Sequence, residues 1–267
     1  MKNDKPAKTL ALSVDIDATP EAVWKALTEG PGIANWFSPI AIAEGAGPGA
    51  KVTLGWSEQM KWTTTVAKWQ EGRLVGWFDE GVMGEGTALA ADFSIDSVGG
   101  KVRVTLVQSG FGAEGAWDDF FGGTEVGWTY FLRNLRIYLE RHAGRTRRMV
   151  SLRFPVGIAR VDAWERLLAP AGGLVAGLAL AASEGSEGHV RLEEAPTAAV
   201  VEIAIPGRAL ALRLPELDDA LLFLEFEGCS EAFHVGAYLS VYDDAVAART
   251  EPGARRSLER VAAALKD

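Results

Sequence analysis

The sequence predicts an α+β protein built as two tandem units, each opening with a strand and a short helix, continuing as an antiparallel sheet and closing with an amphipathic helix. Three observations carry this reading. A strand-like run, Leu10 to Ile16, feeds a proline-led helix start at Thr19-Pro20-Glu21-Ala22-Val23-Trp24, and about a hundred residues later a helical stripe follows Gly127-Trp128. Between them lie only short strand-like stretches and glycine-rich breaks. The same order then returns in weaker form: Met149 to Val156 reads as a strand and Arg160 to Leu168 as a helix, with Trp164 and Leu167 falling 140 positions after Trp24 and Leu27.

Each element has its own justification. Lys61 to Gln70 alternates strictly, which puts Trp62, Thr64, Val66 and Lys68 on one face and Thr63, Thr65, Ala67 and Trp69 on the other, the pattern of a half-buried strand. Lys51 to Trp56, Arg73 to Phe78, Thr87 to Ile95 and Lys101 to Gln108 read likewise, and the glycine-bearing breaks between them favour a meander of tight turns. Trp128, Phe131, Leu132, Leu135, Tyr138 and Leu139 recur at helical spacing and form one apolar stripe that must lie on the sheet. In the second half, Val190 to Leu192, Ala198 to Ile205, Ala209 to Leu214, Leu221 to Phe226 and Phe233 to Val241 are strand-like, and Leu258, Val261, Ala262 and Leu265 make the closing stripe.

At 267 residues the chain has the length of two ordinary domains. Eight of nine tryptophans precede residue 130 and eight of nine lysines precede residue 102, a shift in composition that separates a first domain, 1–144, from a second, 147–267. The boundary is set at His142-Ala143-Gly144, where glycine suits a helix C-terminus. A net charge of −9 with no basic stripe argues against nucleic acid as a partner. A lone cysteine, Cys229, excludes an internal disulfide, and the polar Met1 to Pro6 lacks the apolar run of a secretory signal, so a cytoplasmic location is expected. The most apolar stretch, Leu174 to Ala182, is far shorter than the roughly 20 residues of a membrane helix, so no membrane is expected either.

Taken together, the strand ending Val14-Asp15-Ile16, the Thr19 to Trp24 helix start, the Asn35-Trp36-Phe37 triplet and the Gly127-Trp128 pair resemble the SRPBCC superfamily, in particular the branch of the heat-shock-protein-90 ATPase activator homologue C-terminal domain, over about residues 8–143. The resemblance implies a START-like, helix-grip fold: a curved antiparallel sheet around a long C-terminal helix, with a hydrophobic cavity between them. It implies three functions: binding of a small hydrophobic ligand, catalysis of the polyketide cyclase or hydrolase type, or a chaperone-interacting module. The second half departs from the pattern, with no tryptophan where Trp36 and Trp128 would have counterparts and Ala254 in place of Trp128 when Leu258 is aligned on Leu132. A degenerate second copy of the fold is therefore expected.

The residues themselves point to binding more than to chemistry. Trp56, Trp62, Trp77, Phe93, Trp128 and Phe131 are more large rings than a sheet-on-helix core requires, and Trp36-Phe37 stands where the helical turn from Pro31 meets the sheet, a place from which a cavity mouth can be gated. Cavity wall and solid core both fit the six rings. Trp24, on the short helix, reads as packing. Gly110-Phe111-Gly112-Ala113-Glu114-Gly115 satisfies a dinucleotide fingerprint, but it follows an antiparallel meander and not a βαβ unit, so with Gly122-Gly123 it reads as a loop. Asp118, Asp119 and Glu125 fit the N-terminal end of a helix, although an enzyme reading would turn Asp118, Glu125, Tyr130 or Gln108 inward. His142, His189 and His234 are scattered, Cys229 and His234 lack a third partner, and no Gly-x-Ser-x-Gly elbow occurs. The expectation is a non-enzymatic binder of a small hydrophobic ligand with no catalytic residue, metal or cofactor.

Overall fold

The computed structural model describes residues 7–113, 115–169, 173–178, 182–192, 196–227 and 233–266. The chain divides into two compact units, Met1–Arg145 and Thr146–Asp267. In the first, β1 (Lys8–Ile16) precedes α1 (Pro20–Thr28) and α2 (Gly30–Ala34), then β2 (Ile40–Glu44), β3 (Lys51–Ser57), β4 (Met60–Gln70), β5 (Leu74–Glu80), β6 (Ala88–Val98) and β7 (Lys101–Phe111), and α3 (Ala116–Arg141) closes the unit. The strands form one antiparallel sheet in the order β1-β7-β6-β5-β4-β3-β2. Because β7 lies between β1 and β6, both antiparallel to it, the glycine-rich fingerprint belongs to no βαβ crossover, but its Gly110 and Phe111 end β7, which corrects the reading of the whole run as a loop.

The second unit repeats the plan with β8 (Arg148–Val156), α4 (Arg160–Leu168), β9 (Val175–Ala176), β10 (Glu187–Val190), β11 (Thr197–Ile205), β12 (Ala209–Leu214), β13 (Ala220–Glu227), β14 (Phe233–Val241) and α5 (Asp244–Ala264). Its sheet order, β8-β14-β13-β12-β11-β10-β9, is the first order advanced by seven strands, so the two units are tandem copies of one α+β fold. Trp164 occupies in α4 the fifth position that Trp24 occupies in α1. The degeneracy is one of content. The second core is built from leucine, valine and alanine, with Ala254 fully buried, and its aromatic contribution is Trp164, Phe154, Phe226 and Phe233. Cys229 lies outside the described residues, as do 179–181 of the apolar stretch, of which Val175–Ala176 forms β9.

Helix starts follow local chemistry. Thr19 caps α1 by accepting a hydrogen bond from the Ala22 amide at 3.2 Å, and Pro20, with φ already fixed and no donor to lose, takes the first turn. Two elements differ from expectation. β2, the edge strand, had no counterpart in the sequence reading. The long helix begins at Ala116, well before Gly127, and takes in Gly122 and Gly123, which the sequence placed in a loop. Each glycine costs about 1 kcal/mol in a helix relative to alanine. Against that, Trp117, Phe120 and Phe121 surround the buried Phe111 ring at 6.3, 6.1 and 5.0 Å between centroids, and ring pairs contribute about 0.5–1.5 kcal/mol each beyond area burial, which is enough to carry the helix through.

α3 runs alongside β1, from an ion pair between Lys8 and Asp118 at one end to the Asp17 amide, which donates to Glu140 Oε1 at 2.9 Å, at the other. The interior of the unit is the layer between this helix, α1 and α2, and one face of the sheet. α1 and α2 meet through glycine. A Cβ on Gly32 would stand 2.4 Å from the Lys25 carbonyl oxygen and 2.8 Å from Ala26 Cα, both backbone atoms that cannot swing away. Gly110 is restricted twice over, with φ +97° and a notional Cβ 2.1 Å from the Ala88 carbonyl oxygen. Gly32→Ala is therefore expected to lower stability by about 1–3 kcal/mol, the usual cost of overpacking, read as a reduced urea midpoint with unchanged slope. A wild-type midpoint in the variant would show that the two helices do not need this approach.

Candidate functional site

Strand register arranges the inner face of the first sheet in rows. Val14, Val104 and Ile95 stand side by side near one end. The next row is Leu12, Leu106, Phe93, Val75 and Trp69. After it come Leu10, Gln108, Ala91, Trp77 and Val66, and beyond these Leu89 and Asp79, with Thr64 one residue past the Thr65–Phe78 pair. The face thus grades from aliphatic through aromatic to polar. An irregularity between Val66 and Lys68 corrects the alternation read from the sequence, in which Trp69 opposed Trp62 across the strand. The extra residue returns Trp69 to the inner face, where its ring meets Trp24 edge-on at 4.8 Å.

Over this floor the rings converge on Phe37. It stacks on Trp128 at 5.1 Å and on Trp77 at 6.1 Å, meets Phe131 edge-on at 4.7 Å and Trp56 at 6.1 Å, and lies 5.5 Å from Trp36. Phe93 joins Trp77, Trp128 and Trp36 from the sheet at 5.0, 5.5 and 6.3 Å, and Trp56 stacks on Phe131 at 5.6 Å. Seven of the eight expected residues, Trp36, Phe37, Trp56, Trp77, Phe93, Trp128 and Phe131, are brought together. Trp62 is not among them: it sits opposite Leu54 near the start of β4, 36% exposed, beside Met60 at 49%.

Buried polar groups hold Phe37 in place. Asn134 Nδ2 donates to the Trp36 carbonyl oxygen at 2.6 Å, Asn35 Nδ2 to the Tyr138 hydroxyl at 3.1 Å, and Trp36 Nε1 to the Ala26 carbonyl oxygen at 2.8 Å. Ser38 Oγ, fully buried, accepts from the Gly55 amide at 2.7 Å and lies 2.8 Å from the Ile40 carbonyl oxygen. Trp36 is thereby an anchor with no exposed surface, not the gate that its sequence position suggested. Asn134 and Ser38 were not singled out from sequence, since a lone Asn or Ser in an apolar segment carries no periodic signal, and Asn35 was noted only as part of the triplet with Trp36 and Phe37.

The site has three polar groups of its own. Gln108 Oε1 accepts from Trp128 Nε1 at 2.5 Å, joining floor to helix. Trp77 Nε1 is fully buried and has no hydrogen-bond partner among the described residues. Asp79 shares the inner face with Trp77; burial raises its carboxyl above the ordinary 3.8, and a hydrogen bond from Thr64 pulls the other way. The alternation Trp77-Phe78-Asp79 in the sequence could have revealed it. Of the four residues an enzyme reading would turn inward, Gln108 and Tyr130 are buried, Asp118 pairs with Lys8 at the surface and Glu125 is exposed. Among the described residues no group of three or more His, Cys, Asp or Glu side chains could hold a metal ion, and no helix is long and apolar enough to cross a membrane.

Solved structures to which the chain is similar include the Aha1 dimer from Colwellia psychrerythraea, 23% identical with a TM-score of 0.43, covering 51% of this chain and 99% of that one. DynU16 of the dynemicin biosynthetic locus is 16% identical over 98% of this chain and 100% of that one, with a TM-score of 0.44. The di-domain ARO/CYC BexL from the BE-7585A biosynthetic pathway is 12% identical over 97% and 99%, with a TM-score of 0.45. No curated protein sequence matches the chain significantly. Residues 17–140 match the sequence model of the Activator of Hsp90 ATPase homolog 1-like proteins, and every matched residue lies in the first unit. Strands β2 to β7, the paired short helices and all but the last residue of the long closing helix fall on the residues that match this model, and the first unit is in this sense similar to the Activator of Hsp90 ATPase homolog 1-like proteins.

Proposed function

We propose that the first unit binds a small hydrophobic or aromatic molecule, without catalysis, between the inner face of its sheet and α3. The observation that carries this reading is the convergence of seven rings from α3, the sheet and the Trp36-Phe37 segment on one place, with a buried indole N–H left unpaired among them. A ring cluster that served packing alone gains nothing from an unpaired donor, which costs about 1–3 kcal/mol when buried. The interior of the second unit is mostly aliphatic and holds no such convergence of rings, although its Trp164 Nε1 is likewise buried and unpaired among the described residues. A half-buried carboxyl, Asp79, on the same face favours a second reading, an enzyme of the cyclase or hydrolase type acting on a hydrophobic substrate. The chaperone-interacting reading rests on the family's description and on no residue of the site.

Native mass spectrometry compared with the denatured mass tests the binding reading. A retained small molecule, or one-to-one quenching of tryptophan fluorescence by added naphthalene, is the expected result. Phe37→Ala is expected to weaken naphthalene binding by at least about ten-fold, the loss of roughly 1.4 kcal/mol of ring contact. If the purified protein carries no extra mass and naphthalene produces no saturable quenching, the reading is wrong.

Asp79 also sets a pH dependence. Its folded pKa lies above the unfolded one, so the folded chain holds the proton more tightly and stability falls as pH rises from about 3.8 through the raised value, then levels off. Asp79→Asn removes this loss. Urea denaturation is expected to give the variant a higher midpoint than wild type at pH 7, with the difference vanishing below the ordinary carboxylate range. Equal midpoints at pH 7 would mean that the carboxyl is well solvated.

A further inference from the structure

We propose that the ligand of this site is a planar aromatic bearing a hydrogen-bond-accepting oxygen, such as an aryl carbonyl, which Trp77 Nε1 receives where the aromatic row gives way to the polar one. The inference rests on the hydrophobic-ligand reading above and adds to it a chemical class and an orientation.

The argument is positional. Indole N–H is a donor only, so an unpaired Trp77 Nε1 calls for an acceptor and for nothing else. Asp79 follows two residues later on the same strand and face, and the Thr64 hydroxyl stands at the neighbouring position of β4. Between Trp77 and Gln108 the row carries only the Ala91 methyl group, the narrowest point of the floor. On the other side of Trp77 stand Val75, Phe93 and Leu106, which hold no polar atom. A ligand lying across these rows meets apolar surface with one end and hydrogen-bond donors with the other. Because the rows are fixed by strand register, only one of the two orientations satisfies Trp77.

The test uses a matched pair of probes, naphthalene and 2-acetonaphthone, which share a ring system and differ by an acceptor carbonyl. Titration of the full chain with each is expected to give 2-acetonaphthone the higher affinity. In Trp77→Phe, which keeps an aromatic ring and loses the N–H, that preference, read as the ratio of the two affinities whatever the change in naphthalene affinity itself, is expected to fall about five-fold, the worth of one neutral hydrogen bond. Trp77→Leu, read as the same ratio of the two affinities, serves should Trp77→Phe not fold. Binding of both probes with a preference unaffected by either substitution overturns the proposal and leaves the hydrophobic-ligand reading standing. Failure of both probes to bind overturns the two together.

Discussion

The buried hydrogen bonds that tie the Asn35-to-Ser38 segment to its surroundings are the constraint on which the site depends. Asn134 reaches from α3 to the Trp36 carbonyl, Asn35 reaches back to Tyr138, and Ser38 joins the end of the segment to β3. A polar group removed from water must find its partner or lose about 1–3 kcal/mol, so these contacts admit essentially one path for the chain between α2 and β2. Phe37 lies on that path. Its place among Trp56, Trp77, Trp128 and Phe131 is a consequence of polar satisfaction as much as of ring contact.

The two units show what one topology permits when its contents change. Both sheets have the same strand order and both close with a long helix, yet Trp128 in α3 corresponds to the aligned Ala254 in α5. Leucine and valine fill space with no directional demand and pack to high density. Indole rings bring N–H donors that must be paired. In the first unit Trp36 and Trp128 find partners at Ala26 and Gln108, and Trp77 does not. In the second, Trp164 Nε1 is likewise buried and unpaired among the described residues, so the two interiors differ in how many rings they bring together and not in whether they leave a donor open.

The sequence by itself determined the order of elements and hence the fold class. Thr19-Pro20 reads as a helix start, period-two alternation makes strands of Lys51 to Trp56 and Lys101 to Gln108, and the Trp128 to Leu139 stripe obliges α3 to lie on the sheet. The family resemblance and the tandem plan were legible for the same reason, since both are carried by local patterns in a fixed order. Most of the aromatic site was legible too, because large rings in alternating strands have few places to go. The extent of α3 was not: Gly122 and Gly123 argue for a loop until Phe111, 11 residues before Gly122 and on another element, supplies the ring contacts that outweigh them.

Which face each side chain occupies was decided only by the tertiary structure. A strand has period two, so a single extra residue at Val66–Lys68 exchanges faces for everything beyond it and brings Trp69 to Trp24. The same long-range register put Asp79 and Trp77 on one face beside Ala91 and left Trp62 at the half-exposed start of β4. Pairing of strands distant in sequence sets that register, through the hydrogen bonds of neighbouring backbones and the burial of whichever face meets α3, and no local pattern in a strand contains it.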